Sequence, residues 1–278
     1  ETVTAAFVSG RYEQGPLTVL AGVRAERTEF DANGVFLSLA GIEPRRESTE
    51  RTDWLPSLAA SWRPQAQWQL RVAAGRRLAR PGLHVATPNA GLLQDGNLAE
   101  LVIGNPALET RVSDNYDLTL EYYPAPDFVI GASLFRIDID MDIITVVDAY
   151  LGAAAGEVLD GFGLAPLGRV DYLRVNQSQN VQDYGLDGIE LYLSGTLGFV
   201  SDALANLSAT ASYTSIDERG SYERGGVTEP IRAPEQTPQQ AALTLSWDAG
   251  RLGLSASARW GDDYISGLGE SVYDDTRQ

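Results

Sequence analysis

Between Leu17 and Thr28 the chain places Leu17, Val19, Ala21, Val23 and Ala25 on one side and Thr18, Gly22, Arg24, Glu26 and Thr28 on the other, with Leu20 the exception. A period of two sends successive side chains to opposite faces of an extended strand. The same split recurs from Trp68 to Gly75, Tyr116 to Tyr123, Ile189 to Ser194, Leu207 to Thr214, Leu243 to Trp247 and Leu252 to Trp260. Weaker alternation near Thr2 to Tyr12, Trp54 to Arg63 and Phe128 to Asp140 brings the expectation to about ten strands.

The connections between these strands are sorted by length. Tight turns are expected at Glu13 to Pro16, Pro64 to Gln67, Pro124 to Asp127 and Ala249 to Arg251, with a slightly longer one at Ser201 to Ala205. Long polar excursions occupy Phe30 to Arg51, Pro81 to Asp114, Met141 to Tyr184 and Ser215 to Thr237. Short and long alternate, so every long connection lies at the same end of an up-and-down antiparallel sheet. A soluble sandwich has no reason for such sorting, whereas outer-membrane barrels combine short periplasmic turns with long extracellular loops. The expected fold is therefore all-β: a transmembrane, antiparallel, up-and-down β-barrel. Trp68, Tyr116, Tyr122, Tyr213, Trp247 and Trp260 sit towards strand ends on the apolar face, where amphipathic rings meet headgroups. In this reading Val19, Ala21, Val23, Leu70, Val72, Leu118, Leu120, Leu191, Leu254 and Ala256 face lipid. Arg24, Glu26, Arg71 and Glu121 then face the lumen.

Composition narrows the chemistry. Mean hydropathy is -0.16, and no stretch of the chain approaches the roughly 20 apolar residues of a helical span. Alternating strands average to neutrality, so this leaves a barrel open. Acids outnumber bases by 38 to 21, a net charge of -17, which repels polyanions and argues against nucleic acid as a partner. The absence of cysteine excludes disulfide scaffolds, thiolate metal sites and cysteine nucleophiles, and a single histidine removes most zinc and triad chemistry. Neither a catalytic residue nor a cofactor site is expected.

Several strings in order resemble the barrel of TonB-dependent outer-membrane receptors. They include Gly22-Val23-Arg24-Ala25-Glu26-Arg27-Thr28, Asp53-Trp54-Leu55-Pro56-Ser57-Leu58 and Gly104-Asn105-Pro106-Ala107-Leu108-Glu109. The last runs into Asn115-Tyr116-Asp117-Leu118 and Glu121-Tyr122-Tyr123-Pro124, and Gly185-Leu186-Asp187-Gly188-Ile189-Glu190-Leu191 is similar to a later strand of that family. The resemblance implies a barrel of about 22 strands closed around a plug, preceded by a TonB box. Residues 1–278 are then expected to be one partial barrel domain, with the plug domain and the final strands outside this chain. It further implies a receptor in the bacterial outer membrane that binds a scarce nutrient such as a ferric siderophore and imports it with TonB-derived energy. Its partners would be the TonB system, the plug, outer-membrane lipid and lipopolysaccharide, and a small-molecule or oligomeric nutrient. A passive porin-like barrel and a soluble all-β carbohydrate-binding module are the alternatives.

Asp138, Asp140 and Asp142 have D-x-D-x-D spacing and are weak candidates for a metal site, but the EF-hand reading fails because Ile143 and Ala149 stand where glycine and glutamate are needed. His84 is a lone loop histidine without an orienting partner. Gly161-Phe162-Gly163 lacks the third glycine of a dinucleotide fold and reads as a loop. Arg76, Arg77 and Arg80 cluster where the fourth strand reaches the extracellular rim; they suit either an anionic ligand or local carboxylates. Candidate ligand-binding residues are Arg77, Arg80, Asn105, Tyr150, Tyr172 and Tyr222.

Overall fold

The computed structural model describes residues 1–38, 41–164, 166, 168–181, 184–224, 227–230, 236–264 and 271–273. In chain order the elements are β1 (Thr2–Gln14), β2 (Leu17–Ser38), β3 (Gly41–Gln65), β4 (Trp68–Ala79), α1 (Leu83–Ala86), β5 (Ala90–Asp95), β6 (Leu98–Ile103), β7 (Arg111–Ala125), β8 (Phe128–Asp140) and β9 (Asp142–Leu151). They continue as α2 (Ala153–Gly161), β10 (Tyr172–Val181), β11 (Tyr184–Thr196), β12 (Leu207–Arg219), β13 (Ser221–Arg224), β14 (Val227–Pro230), β15 (Gln239–Asp248), β16 (Gly253–Gly261) and β17 (Ser271–Tyr273). The strands β1-β2-β3-β4-β7-β8-β11-β12-β15-β16 form one antiparallel meander, the wall expected from the alternation. Every expected tight turn joins two of these strands; at Gly15 and Gly250 the backbone takes φ of 55° and 75°, a region glycine enters without steric cost.

Register explains how the wall curves. One hydrogen-bonded row runs Trp62, Leu70, Leu120, Ala132, Leu191, Tyr213, Ala241, Trp260. It starts near the turn end of β3 and finishes near the loop end of β16. Such a climb is the stagger that tilted barrel strands require. All eight side chains lie on one face. That face is exposed over most of the wall, with Val72 at 42%, Leu120 at 46% and Leu254 at 59%, while Glu26, Asp53 and Glu121 of the opposite face are buried. A soluble barrel would reverse these directions. Tyr12, Trp62, Trp68, Tyr122 and Trp247 mark the turn end of the apolar face, and Trp68 stacks on Tyr122 with centroids 4.6 Å apart. Trp54, Tyr116, Tyr213 and Trp260 mark the loop end. From Trp54 to Trp62 is about 26 Å of strand, or about 20 Å of height at a tilt near 40°, somewhat short of the apolar band of about 25 Å on an outer-membrane barrel. On the inner face the rings of Tyr192 and Phe135 lie over Gly131 and Gly188, where a Cβ would come within 2.2 and 2.1 Å of ring carbons.

The long connections depart from a reading as loops. Phe30 to Arg51 is the protruding end of a hairpin, since β2 and β3 run for 22 and 25 residues. Both faces are wet above the membrane, so no apolar alternation announces the extension. The connections after β4 and after β8 fold together. β5 and β6 form a hairpin, β6 pairs parallel with β10, and β10 pairs with β9. α2 covers one face of this sheet, burying Leu101, Ile103 and Ala99 from the first connection against Ala155, Leu159, Leu164, Leu173 and Val175 from the second. Gly161-Phe162-Gly163 is not a free loop: it closes α2, with Gly163 at φ 65° and Phe162 packed on the core. The largest fully buried side chains among the described residues, Leu101, Leu159, Leu164 and Leu173, all belong to this unit. β17 adds to its β9 edge, and a bridge between Phe36 and Ala90 ties it to β2.

Candidate ligand-binding site

The inner wall is a polar lattice. Glu121 on β7 accepts hydrogen bonds from the hydroxyls of Tyr192 on β11 (2.7 Å) and Tyr123 (2.8 Å), and pairs with Arg71 on β4 at 3.0 Å. Hydroxyl pairs Thr119 with Ser133, Ser194 with Thr210 and Thr244 with Ser257 continue it from strand to strand at 3.0–3.1 Å. Strand after strand thus holds a carboxylate, a hydroxyl or its partner in place, and the surface they present is charged and wet.

Near the rim Arg76, Arg111, Arg136 and Arg219 are matched with acids. Arg76 grips Asp114 with two hydrogen bonds of 2.8 and 2.7 Å, which holds the Asp114 carboxyl below the usual carboxylate range. Asp138 accepts from Arg136 and Arg219, with the same effect on its acidity. Arg111 pairs with Asp142 at 3.1 Å, and Asp140 is exposed. Asp138 and Asp142, two of the candidate metal carboxylates, therefore serve as arginine partners, and among the described residues no group of three or more potential ligands converges on a cation position.

Arg80 turns inward at the end of β4. It reaches Glu26 at 2.6 Å, Glu1 at 3.2 Å and the Thr28 hydroxyl at 2.9 Å. Below the Gly104-Asn105-Pro106 turn it helps to line a recess of about 280 Å³ with Glu1, Thr28, Phe30, Thr49, Glu50, Arg51, Pro81, Ala86 and Pro106 to Thr110, Glu50 being paired with Arg27 at 2.9 Å. Thr28, Phe30, Thr49 and Arg51 share the alternation of Glu26 and Asp53, so the recess opens from the lumen side of the wall. Asn105 supports this turn: its side-chain amide donates to the Ser178 carbonyl at 3.0 Å, and its side-chain oxygen accepts from the Ala107 N–H at 3.0 Å. Across from it Asn180 clamps Glu109, accepting from its N–H at 2.8 Å and donating to its carbonyl at 3.1 Å.

Of the sequence candidates, Arg80 lines the recess and Asn105 builds its roof. Tyr150 and Tyr172 are half-buried in β9 and β10 of the loop unit, Tyr150 packing on its core. Arg77 is exposed on β4, opposite Ser113. Tyr222 lies in β13, and its side chain is outside the described residues; His84 is exposed in α1. Sequence pattern does not single out Phe30, Leu108 or Glu109. Glu109 ends the Gly104-to-Glu109 string, and the signal for it is that motif's abrupt return into β7.

The model of the family described as TonB dependent receptor-like, beta-barrel, matches residues 1–277. The chain belongs to that family. Its members are receptors of the Gram-negative outer membrane rather than enzymes. No curated protein matches the sequence. Among solved structures, the hemophore receptor HasR of Serratia marcescens, in complex with its hemophore HasA and heme, is similar with TM-score 0.63 and 17% identity over 94% of this chain and 44% of HasR. The FrpB iron transporter of Neisseria meningitidis gives 0.57 and 15% over 92% of this chain and 32% of its own. The ferric enterobactin receptor PfeA of Pseudomonas aeruginosa gives 0.55 and 18% over 93% and 40%. This TonB-dependent barrel segment thus spans less than half the length of each, and the likeness is one of fold.

Proposed function

We propose that the chain is part of a larger receptor barrel that captures a scarce nutrient, of the ferric siderophore or haem class, at the cell surface and passes it inward with TonB-derived energy. The plug and the remaining strands would lie elsewhere in the same polypeptide. The observation that carries the reading is the division of one ten-stranded wall into an apolar exterior between two aromatic rows and a charged interior, in a chain matched to this family from end to end. The iron-linked names of the structural relatives support the nutrient class. A soluble carbohydrate-binding module fits poorly with large apolar side chains exposed on nine of the ten strands of the wall.

The test is uptake. A strain lacking the receptor should lose accumulation of its nutrient from submicromolar supply and regain it with the gene restored, and loss of TonB should abolish the restored uptake. Concentration-proportional uptake that survives loss of TonB would instead support a passive pore.

A further inference from the structure

The recess beneath the Gly104-to-Glu109 turn discriminates by charge, a property that rests on the receptor reading and sharpens it. Both guanidinium groups facing the recess are already held by acids: Arg80 by Glu26 and Glu1, Arg51 by Asp53 at 2.7 Å. An anionic ligand would have to displace those carboxylates. Glu109 is the opposite case. Asn180 fixes its main chain on both sides, yet its carboxylate is 57% exposed and the nearest cation, Arg51, stands 3.9 Å away. The loosest charge around the recess is therefore negative, and it is borne on a rigid backbone. Beside it lie the apolar surfaces of Phe30, Pro81, Ala86 and Leu108. The surrounding field has the same sign. Residues 81–110 and 141–183 carry nine Asp and Glu against two Arg, a balance that concentrates cations and repels anions.

We propose that the recess binds a protonated amine or guanidinium carried on a small apolar body, with Glu109 as its counter-ion, and that the receptor's ligand bears such a group. The volume of about 280 Å³ suits one ring and a short chain rather than a whole metal chelate, so the recess is a subsite that orients one end of the ligand. A triply anionic chelate with no cationic group would be a poor ligand.

Three probes of nearly equal shape test this on the full receptor in detergent: phenethylamine, phenethyl alcohol and hydrocinnamate, titrated by saturation-transfer NMR. The amine should bind most tightly and the carboxylate least. Glu109→Gln should weaken the amine about fivefold, the scale of one partly exposed ion pair, and leave the alcohol unchanged. Phe30→Ala should weaken all three, which shows that they share the recess. Equal or tighter binding of hydrocinnamate, an amine affinity indifferent to Glu109→Gln, or no saturable binding of the amine would overturn the assignment. TonB-dependent uptake is measured separately. Loss of the amine preference with uptake intact sinks the subsite alone, whereas a passive pore with the preference intact sinks the receptor reading alone.

Discussion

Glu121 shows how one residue organises the inner wall. It is 6% exposed, sits on a strand whose other face meets lipid, and receives Arg71 from β4, Tyr192 from β11 and Tyr123 from its own strand. Replacing it with leucine leaves two hydroxyls and a guanidinium without their acceptor, at a cost of about 1–3 kcal/mol, while glutamine keeps an acceptor and should cost less. Denaturant unfolding of the full barrel in micelles would measure both, and a Glu121→Leu variant as stable as the parent would show the lattice to be incidental. At the rim, Asp114 is held below its ordinary acidity by Arg76. A carboxyl depressed in the folded state contributes stability that is complete above the unfolded value, near pH 4, and disappears as pH falls through the folded value. Amide protection at the loop ends of β4 and β7, taken relative to the intrinsic exchange rate at each pH, should therefore fall below about pH 4, and Asp114→Asn should show the reduced protection already at neutral pH. Protection insensitive to both changes would count against the pair.

At the scale of elements, the wall strands were legible because each has one dry and one wet face, and the turns were legible because proline and glycine punctuate them. The elements above the membrane were not. β5 and β6 are only six residues long, too short for periodicity to stand out. β9 contains Ile143, Ile144, Val146 and Val147, an apolar run without alternation: Ile144 packs on the buried cluster of Ile139, Val181 and Tyr184, while the strand itself pairs with β10 in the loop sheet. The pairing of β6 with β10 joins residues more than seventy positions apart, and local pattern holds no trace of it. The recess inherits this opacity, since its lining comes from separate segments of the chain. The shared core makes a direct prediction. Leu101→Ala should cost the loop unit about 2–5 kcal/mol, so residues 81–110 and 141–183 should become protease-sensitive together while the wall keeps its unfolding midpoint. Cleavage confined to the mutated connection would mean that the two do not stabilise each other.

For the whole molecule, the sorted connections, the two aromatic rows and the inward charges agree on one orientation in a bilayer. Arginine at Val72 or Leu120 should then cost about 2–4 kcal/mol near the midplane, and arginine at Ala73, on the lumen side, distinctly less. The most direct test uses the absence of cysteine from this chain: single cysteines from 116 to 123 along β7 in the full receptor, each carrying a nitroxide, read in lipid vesicles by electron paramagnetic resonance. Positions 116, 118, 120 and 122 should be relaxed by oxygen, which partitions into lipid, and positions 117, 119, 121 and 123 should not. The opposite phase, with the label at Glu121 in lipid and that at Leu120 shielded from it, would contradict the membrane orientation and the receptor function built on it.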